Sequence, residues 1–174
     1  MVTDQEFRDL MAGVCAPVTI VTVATQDETP HGTTVSAFAS LSLRPPMVTV
    51  ALDRSSTVLG LILAAGRFGV NVLGRAQDEL ALAFARRGAD RFAGVPWHVD
   101  HGLPCLEEAP SWLVCRLAQT VEGGDHLLLL GMVTHARTVT AAPLVYGHRT
   151  FGTHSSFARR PRRAITDHVD ALRR

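Results

Sequence analysis

Lysine is absent from this chain: all seventeen basic residues are arginine. Against sixteen carboxylates they leave a formal net charge of +1, which argues against a dedicated nucleic-acid binder. Cysteine is scarce as well. Cys15, Cys105 and Cys115 are odd in number and form no C-x-x-C pair, so a disulfide framework is excluded and a reducing cytoplasm fits best. No apolar run is long enough to suggest a membrane span: the longest uncharged stretch, Leu10 to Gln26, is broken by Pro17 and rich in β-branched residues. The first residues carry Asp4, Glu6, Arg8 and Asp9 in place of the basic start and apolar stretch of a signal peptide. The common catalytic signatures are also missing. Without G-x-G-x-x-G or G-x-x-x-x-G-K-[ST], Rossmann-type and P-loop nucleotide binding are disfavoured, and without G-x-S-x-G or H-E-x-x-H so are the usual hydrolases.

What is present describes one compact domain. A chain of 174 residues, 47% hydrophobic and 19% charged, has the composition of an ordinary globular protein. At this size roughly 70% of the unfolded surface is buried on folding. Charge is uneven: residues 158–174 hold six arginines against Asp167 and Asp170, so we expect a domain over 1–157 and an Arg-rich, solvated tail after it.

Thr3 and Glu6 form a capping-box pattern, and Phe7, Leu10, Met11 and Val14 follow at helical spacing, predicting an opening amphipathic helix. Two runs rich in β-branched residues, Pro17 to Thr25 and His31 to Ser40, flank a polar turn and predict a hairpin. Met47 to Leu52 reads as a buried strand. Ser55-Ser56-Thr57 then caps a helix that ends at Gly66, and Phe68 to Leu73 is a further strand. A helix over Ala76–Arg86 precedes a loop-rich stretch around Pro96, Gly102 and Pro104. Ser111 to Val121 and His126 to Thr140 are long strands joined by Glu122-Gly123-Gly124-Asp125, and residues 143–146 and 150–153 are expected to close the sheet. About seven strands and three short helices predict a mainly β, antiparallel barrel with its edges removed by closure.

Hydroxyl groups concentrate in two places: Thr33, Thr34, Ser36, Ser40 and Ser42 along one strand, and Ser55, Ser56 and Thr57 at a helix start. The second group, with Arg54, suits a phosphate, because a helix N-terminus presents unpaired N–H groups and partial positive charge. The alternative is a plain N-cap, and threonine in strands is also explained by β-propensity. His98, His101 and Cys105 have an H-x2-H-x3-C spacing but no clear fourth ligand, so no metal site is assigned. Trp97 and Phe92 read as loop anchors or dimer contacts.

The segment G-T-T-V-S-A-F-A-S-L-S-L-R-P-P-M-V-T-V-A-L-D-R-S-S-T, from Gly32 to Thr57, closely resembles the signature of the flavin reductase-like family of FMN-binding split barrels. The likeness continues through Gly66 to Leu73, Asp90-Arg91-Phe92-Ala93-Gly94, Gly124-Asp125-His126 and Pro143-Leu144-Val145-Tyr146, and covers about Glu6 to Phe151. It implies an antiparallel Greek-key split β-barrel with short flanking α-helices. It further implies an NAD(P)H:flavin oxidoreductase that passes hydride from NADH or NADPH to FMN or FAD and supplies a partner monooxygenase with reduced flavin.

On this resemblance Thr33, Thr34, Val35 and Ser36 lie along the polar edge of the isoalloxazine, and Ser40 and Leu41 continue the ribityl wall. Ala51, Leu52 and Asp53 line the sugar chain, and Arg54, Ser55, Ser56 and Thr57 meet the phosphate. His126 sits beside the flavin and nicotinamide, and Tyr146 either stacks near the site or fills the core. A homodimer is implied, with the flavin near the subunit interface, and neither a nucleic-acid nor a membrane partner. A flavoenzyme that retains its flavin, or a non-catalytic flavin- or haem-binding module, are the alternatives on the same barrel.

Overall fold

The computed structural model describes residues 1–86, 88, 90–155 and 157; the Arg-rich segment 158–174 lies outside the described residues. Among them the chain forms helices α1 (Asp4–Ala12), α2 (Thr57–Ala65) and α3 (Asp78–Ala85). The strands are β1 (Ala16–Pro17), β2 (Thr19–Ala24), β3 (Pro30–Val35), β4 (Phe38–Leu43), β5 (Pro46–Asp53) and β6 (Arg67–Val72). They continue with β7 (Trp97–Asp100), β8 (Leu103–Leu106), β9 (Ser111–Gly123), β10 (His126–Thr138), β11 (Val145–Gly147) and β12 (Thr150–Gly152).

Seven strands make one antiparallel sheet in the order β3-β2-β6-β9-β10-β5-β4. Its edge strands, β3 and β4, are consecutive in the chain and joined by Ser36 and Ala37 alone. Two edges tied by so short a link force the sheet to roll up, and the Ala51 N–H donates to the Ala37 carbonyl at 3.0 Å across the join. The result is the mainly β split barrel expected. One expected strand, His31 to Ser40, is in fact these two: the Phe38 N–H turns back to the Ser36 carbonyl (2.9 Å) and breaks the run.

Alternation builds the barrel interior. Val48, Val50 and Leu52 of β5 point inward, as do Phe68 and Val70 of β6 and Leu127 and Leu129 of β10, while Thr49, Ala51 and Asp53 face out. Helix α2 adds Val58, Leu59 and Ile62 to the same core and ends at Gly66, whose φ of 66° suits glycine. A second core of Ile20, Leu73, Phe84, Phe92, Leu106 and Leu144 fixes α3 and the following loop to the outside of β2. Helix α1 has the capping box read from Thr3 and Glu6, and none of its residues is buried.

Two expectations are corrected. Residues 145–147 and 150–152 do not close the main sheet; they pair with β1 in a separate three-stranded sheet, since β3 and β4 already join at Ser36 and Ala37. The loop-rich stretch after α3 contains the β7–β8 hairpin. It is held by two buried side chains of the barrel: Asn71 accepts from the Leu106 N–H (2.8 Å) and Thr22 donates to the Pro104 carbonyl (2.7 Å). All three cysteines are free, and burial pushes the Cys115 thiol up to about 12.

Candidate functional site

The outer corner where β3, β5 and the start of α2 meet carries most of the predicted residues. A cavity of about 190 Å³ is lined by Thr33, Thr34, Val35, Ser36 and Ala37 from the end of β3, by Ala51, Leu52 and Asp53 from β5, and by Ser56. It adjoins a second cavity, of about 480 Å³, that shares Thr33, Asp53 and Ser56 and adds Ser55, Thr57, Val58, Ala85, Gly88 and Arg91. Ser36, Asp53, Ser55 and Thr57 are exposed, so the corner opens to solvent.

The hydroxyls of Thr33, Ser36, Ser56 and Thr57 have no hydrogen-bond partner among the described residues. Thr34 is the exception on β3, donating to the Ala81 carbonyl of α3 at 2.6 Å. Asp53 accepts from both the N–H and the hydroxyl of Ser55 through one carboxylate oxygen (2.7 and 2.6 Å), an arrangement that tightens the turn into α2. Ser56 occupies the N-cap position of α2, yet its hydroxyl makes no capping bond, and the first turn carries no acidic residue. The N–H dipoles at this helix start are thus neither capped by Ser56 nor neutralised by a neighbouring acid in the turn, and they form a concentrated positive end next to the cavity.

Arg54 does not line either cavity, although it directly precedes the serines. Its Nε donates to the Gly124 carbonyl at 2.8 Å, its guanidinium pairs with Glu122, and its backbone N–H donates to the Asp125 carbonyl at 3.0 Å. Arg54 therefore clamps the β9–β10 turn to the end of β5. Arg91 supplies the cation instead. Its Nη1 donates to the Gly32 carbonyl (2.6 Å) and its Nε to the Arg86 carbonyl (2.9 Å), which fixes the guanidinium in the cavity wall. The only sequence signal for Arg91 was its place in the Asp90-Arg91-Phe92 segment, with no local pattern to give it a role.

The clamped turn presents His126. In the sheet register His126 lies opposite Asp53, and its Nδ1 is 2.8 Å from Oδ1 of Asp125. That contact orients the ring and leaves Nε2 for another partner. His126, like Arg54, lines neither cavity, and three further predicted residues stand apart: Ser40 and Leu41 are exposed on β4, where Leu41 is the extra residue of a bulge, and Tyr146 on β11 packs against Phe151 at 5.3 Å.

The histidines and cysteine of the β7–β8 hairpin converge differently from their spacing. His98, Asp100 and Cys105 bring ligand atoms within 4.8 Å of one another, whereas His101 stacks on His135 at 4.2 Å. Burial pushes the Cys105 thiol up, away from the thiolate a metal would need, and outweighs the opposite pull of Arg137, which donates to Sγ at 3.4 Å.

Residues 11–155 match the flavin reductase like domain family. The reductase component of 4-nitrophenol 4-monooxygenase/4-nitrocatechol 2-monooxygenase from Rhodococcus opacus is 41% identical over 147 residues, spanning 84% of this chain and 79% of that protein. The NADH:riboflavin 5′-phosphate oxidoreductase of Streptomyces pristinaespiralis is 40% identical over 154 residues, 86% of this chain and 87% of that one. In three dimensions the chain is similar to the Streptomyces globisporus NADH:FAD oxidoreductase SgcE6, solved with NAD and FAD fragments, with a TM-score of 0.84, 29% identity and coverage of 91% and 98% of the two chains. With its barrel, its hydroxyl-lined corner and a match over most of its length, the chain belongs to the flavin reductase like family.

Proposed function

We propose that the corner between β3, β5 and α2 is where this NAD(P)H-dependent flavin reductase reduces FMN or FAD, the reduced flavin then serving a partner monooxygenase. The observation that carries the location is the pair of joined cavities whose walls hold the hydroxyls of Thr33, Ser36 and Ser56, the open N-terminus of α2 and the fixed guanidinium of Arg91. A flavin fits this donor set: a flat ring beside the end of β3, a polyol along Ala51–Asp53, and a phosphate on the α2 N-terminus with Ser56, Thr57 and Arg91.

When bound, the flavin supplies N5 as acceptor for the hydride leaving C4 of the nicotinamide. The protein contributes binding and orientation. Backbone N–H groups of Thr33 to Ser36 and the hydroxyls of Thr33 and Ser36 stabilise negative charge at the polar edge of the ring, and Asp53 accepts hydrogen bonds from the polyol. His126, held by Asp125 and by the Arg54 clamp, positions the nicotinamide through Nε2. The exposure of Ser36, Asp53 and Thr57 suits a ligand that enters oxidised and leaves reduced.

The same reading includes a homodimer and a reducing cytoplasm. Support for the first is helix α1, whose Phe7, Leu10 and Met11 are 59%, 67% and 43% exposed and need a cover that a second copy would provide. Three free thiols support the second. No helix among the described residues is long and apolar enough to cross a membrane. The family match stops at residue 155, which supports a domain boundary near 157.

The test is steady-state oxidation of NADH and NADPH with added FMN, FAD and riboflavin, for the wild type and His126→Ala. We expect many turnovers per protein with added flavin and a fall of about 100-fold or more in kcat/KM for the nicotinamide in the variant, the scale of a lost orienting contact. Failure to oxidise either nicotinamide with any flavin would overturn the function, and unchanged turnover in His126→Ala would remove that residue's role.

A further inference from the structure

The phosphate end of the proposed flavin site does not close. Beyond Thr57, Val58, Gly88 and Arg91 lies a third cavity, of about 560 Å³, which those four residues share with the phosphate cavity. It is large enough for a nucleoside. Its far wall is made by His31 and Gly32 at the start of β3 and by Phe92 and Trp97. The three cavities therefore lie in a row along one strand: ring cavity at Thr33–Ser36, phosphate cavity at Thr33, and this one at Pro30–Gly32. At about 3.3 Å per residue the row is roughly 20 Å long. That is the reach of an extended flavin dinucleotide, well beyond a mononucleotide.

We infer, resting on the flavin site proposed above, that the preferred flavin of this chain is FAD, with its adenylate half in the third cavity and its adenine against Trp97. Arg91 sits at the junction of the two cavities, and its guanidinium is fixed by two backbone carbonyls through Nε and Nη1. Nη2 has no partner among the described residues. A fixed cation at that junction suits a pyrophosphate, with one phosphate on the α2 N-terminus and the other on Arg91.

Trp97 is half-buried and rigidly held. It opens β7, pairs in register with Leu106, and packs edge-on with Phe92 at 5.5 Å and 72°. Leu106 is in turn bonded to Asn71 of the barrel. A preorganised indole is a stacking surface for a purine at little entropic cost. Asp90, whose Oδ1 accepts from the Phe92 N–H, is the carboxylate of this cavity and an acceptor for ribose hydroxyls. The adenylate of the nicotinamide donor is a poorer occupant, because the third cavity meets the site only at the phosphate end and shares no residue with the ring cavity, where the nicotinamide has to lie.

The experiment is equilibrium titration of wild type, Trp97→Ala and His31→Ala with oxidised FAD, FMN and riboflavin, read by flavin fluorescence, alongside the KM for NADH with FMN as acceptor. Wild type is expected to bind FAD about 10-fold or more tighter than FMN, the scale of one base–aromatic stack. Trp97→Ala should lose about that factor for FAD, keep its FMN affinity within about twofold and leave the NADH KM in place. AMP should compete with FAD and not with FMN. Equal wild-type affinities for FAD and FMN overturn the inference without any variant, so a Trp97→Ala protein that fails to fold does not shield it. A raised NADH KM in either variant also overturns it, assigning the cavity to the nicotinamide donor. Absence of binding by all three flavins is a different result, and defeats the flavin site itself.

Discussion

Threonine and asparagine side chains on the wall behind the β7–β8 hairpin and hydroxyls at the β3–β5–α2 corner come from similar stretches of sequence, yet they have opposite fates. Behind the hairpin, Thr22 and Asn71 are fully buried and engaged with the Pro104 carbonyl, the Leu106 N–H and the Ile20 carbonyl. Thr19 is likewise buried and donates to the Val35 carbonyl. At the corner, Thr33, Ser36 and Ser56 face cavities and have no side-chain partner among the described residues. Burial without a partner is costly, and Thr19, Thr22 and Asn71 are paired accordingly, while the Trp112 Nε1–H is the one buried side-chain polar group among the described residues without a partner. The corner can leave donors unpaired because water, and then a ligand, reaches them. The contrast separates residues that hold the fold from residues that await a substrate.

That separation predicts stability losses without ligand effects on one side. The largest belongs to Gly69, where an added Cβ would lie 2.2 Å from the Trp112 ring and 2.6 Å from the Thr22 hydroxyl. Both neighbours are in the core and have nowhere to go, so Gly69→Ala should cost about 3 kcal/mol, a fall in Tm of roughly 10 °C. Next is Asn71→Ala, which strands the Leu106 N–H and should cost about 2 kcal/mol, or roughly 6 °C. Calorimetry with parallel FMN titration checks both. A normal Tm in either variant, or a selective loss of FMN affinity with stability intact, would break the comparison.

Much of the scaffold was legible because it follows local rules. The Thr3–Glu6 capping box, the strands within Pro17–Thr25 and at Met47–Leu52 and the Gly66 stop all emerged as read. Features set by distant partners did not. Nothing local says that a β-rich run breaks at Ser36, since the break serves closure of the barrel against Ala51. Pro96, Gly102 and Pro104 signal loop, and the hairpin exists because Asn71 and Thr22 capture its backbone from the barrel.

The cationic residue of the corner shows the same limit. Arg54 adjoins the serines in sequence but turns to the Gly124 carbonyl, whereas Arg91 reaches Gly32 from 59 positions away. The segments that the resemblance to split-barrel flavin reductases assigns to ring and phosphate lie together at one corner. Ser40, Leu41, Arg54, His126 and Tyr146, which it also assigns to the site, line neither of these cavities.

The smallest expected stability change is also the most informative. Ser56 is an N-cap whose hydroxyl caps nothing, so Ser56→Ala should alter stability by no more than about 0.5 kcal/mol. Titrating FMN and riboflavin into wild type and this variant tests directly whether the corner is the flavin site. Wild type should bind FMN more tightly than riboflavin, and Ser56→Ala should weaken FMN about 10-fold, the value of a hydrogen bond to a charged group, while riboflavin binding and Tm hold. Equal wild-type affinity for the two flavins, or FMN binding untouched by the substitution, would contradict a phosphate at the α2 N-terminus.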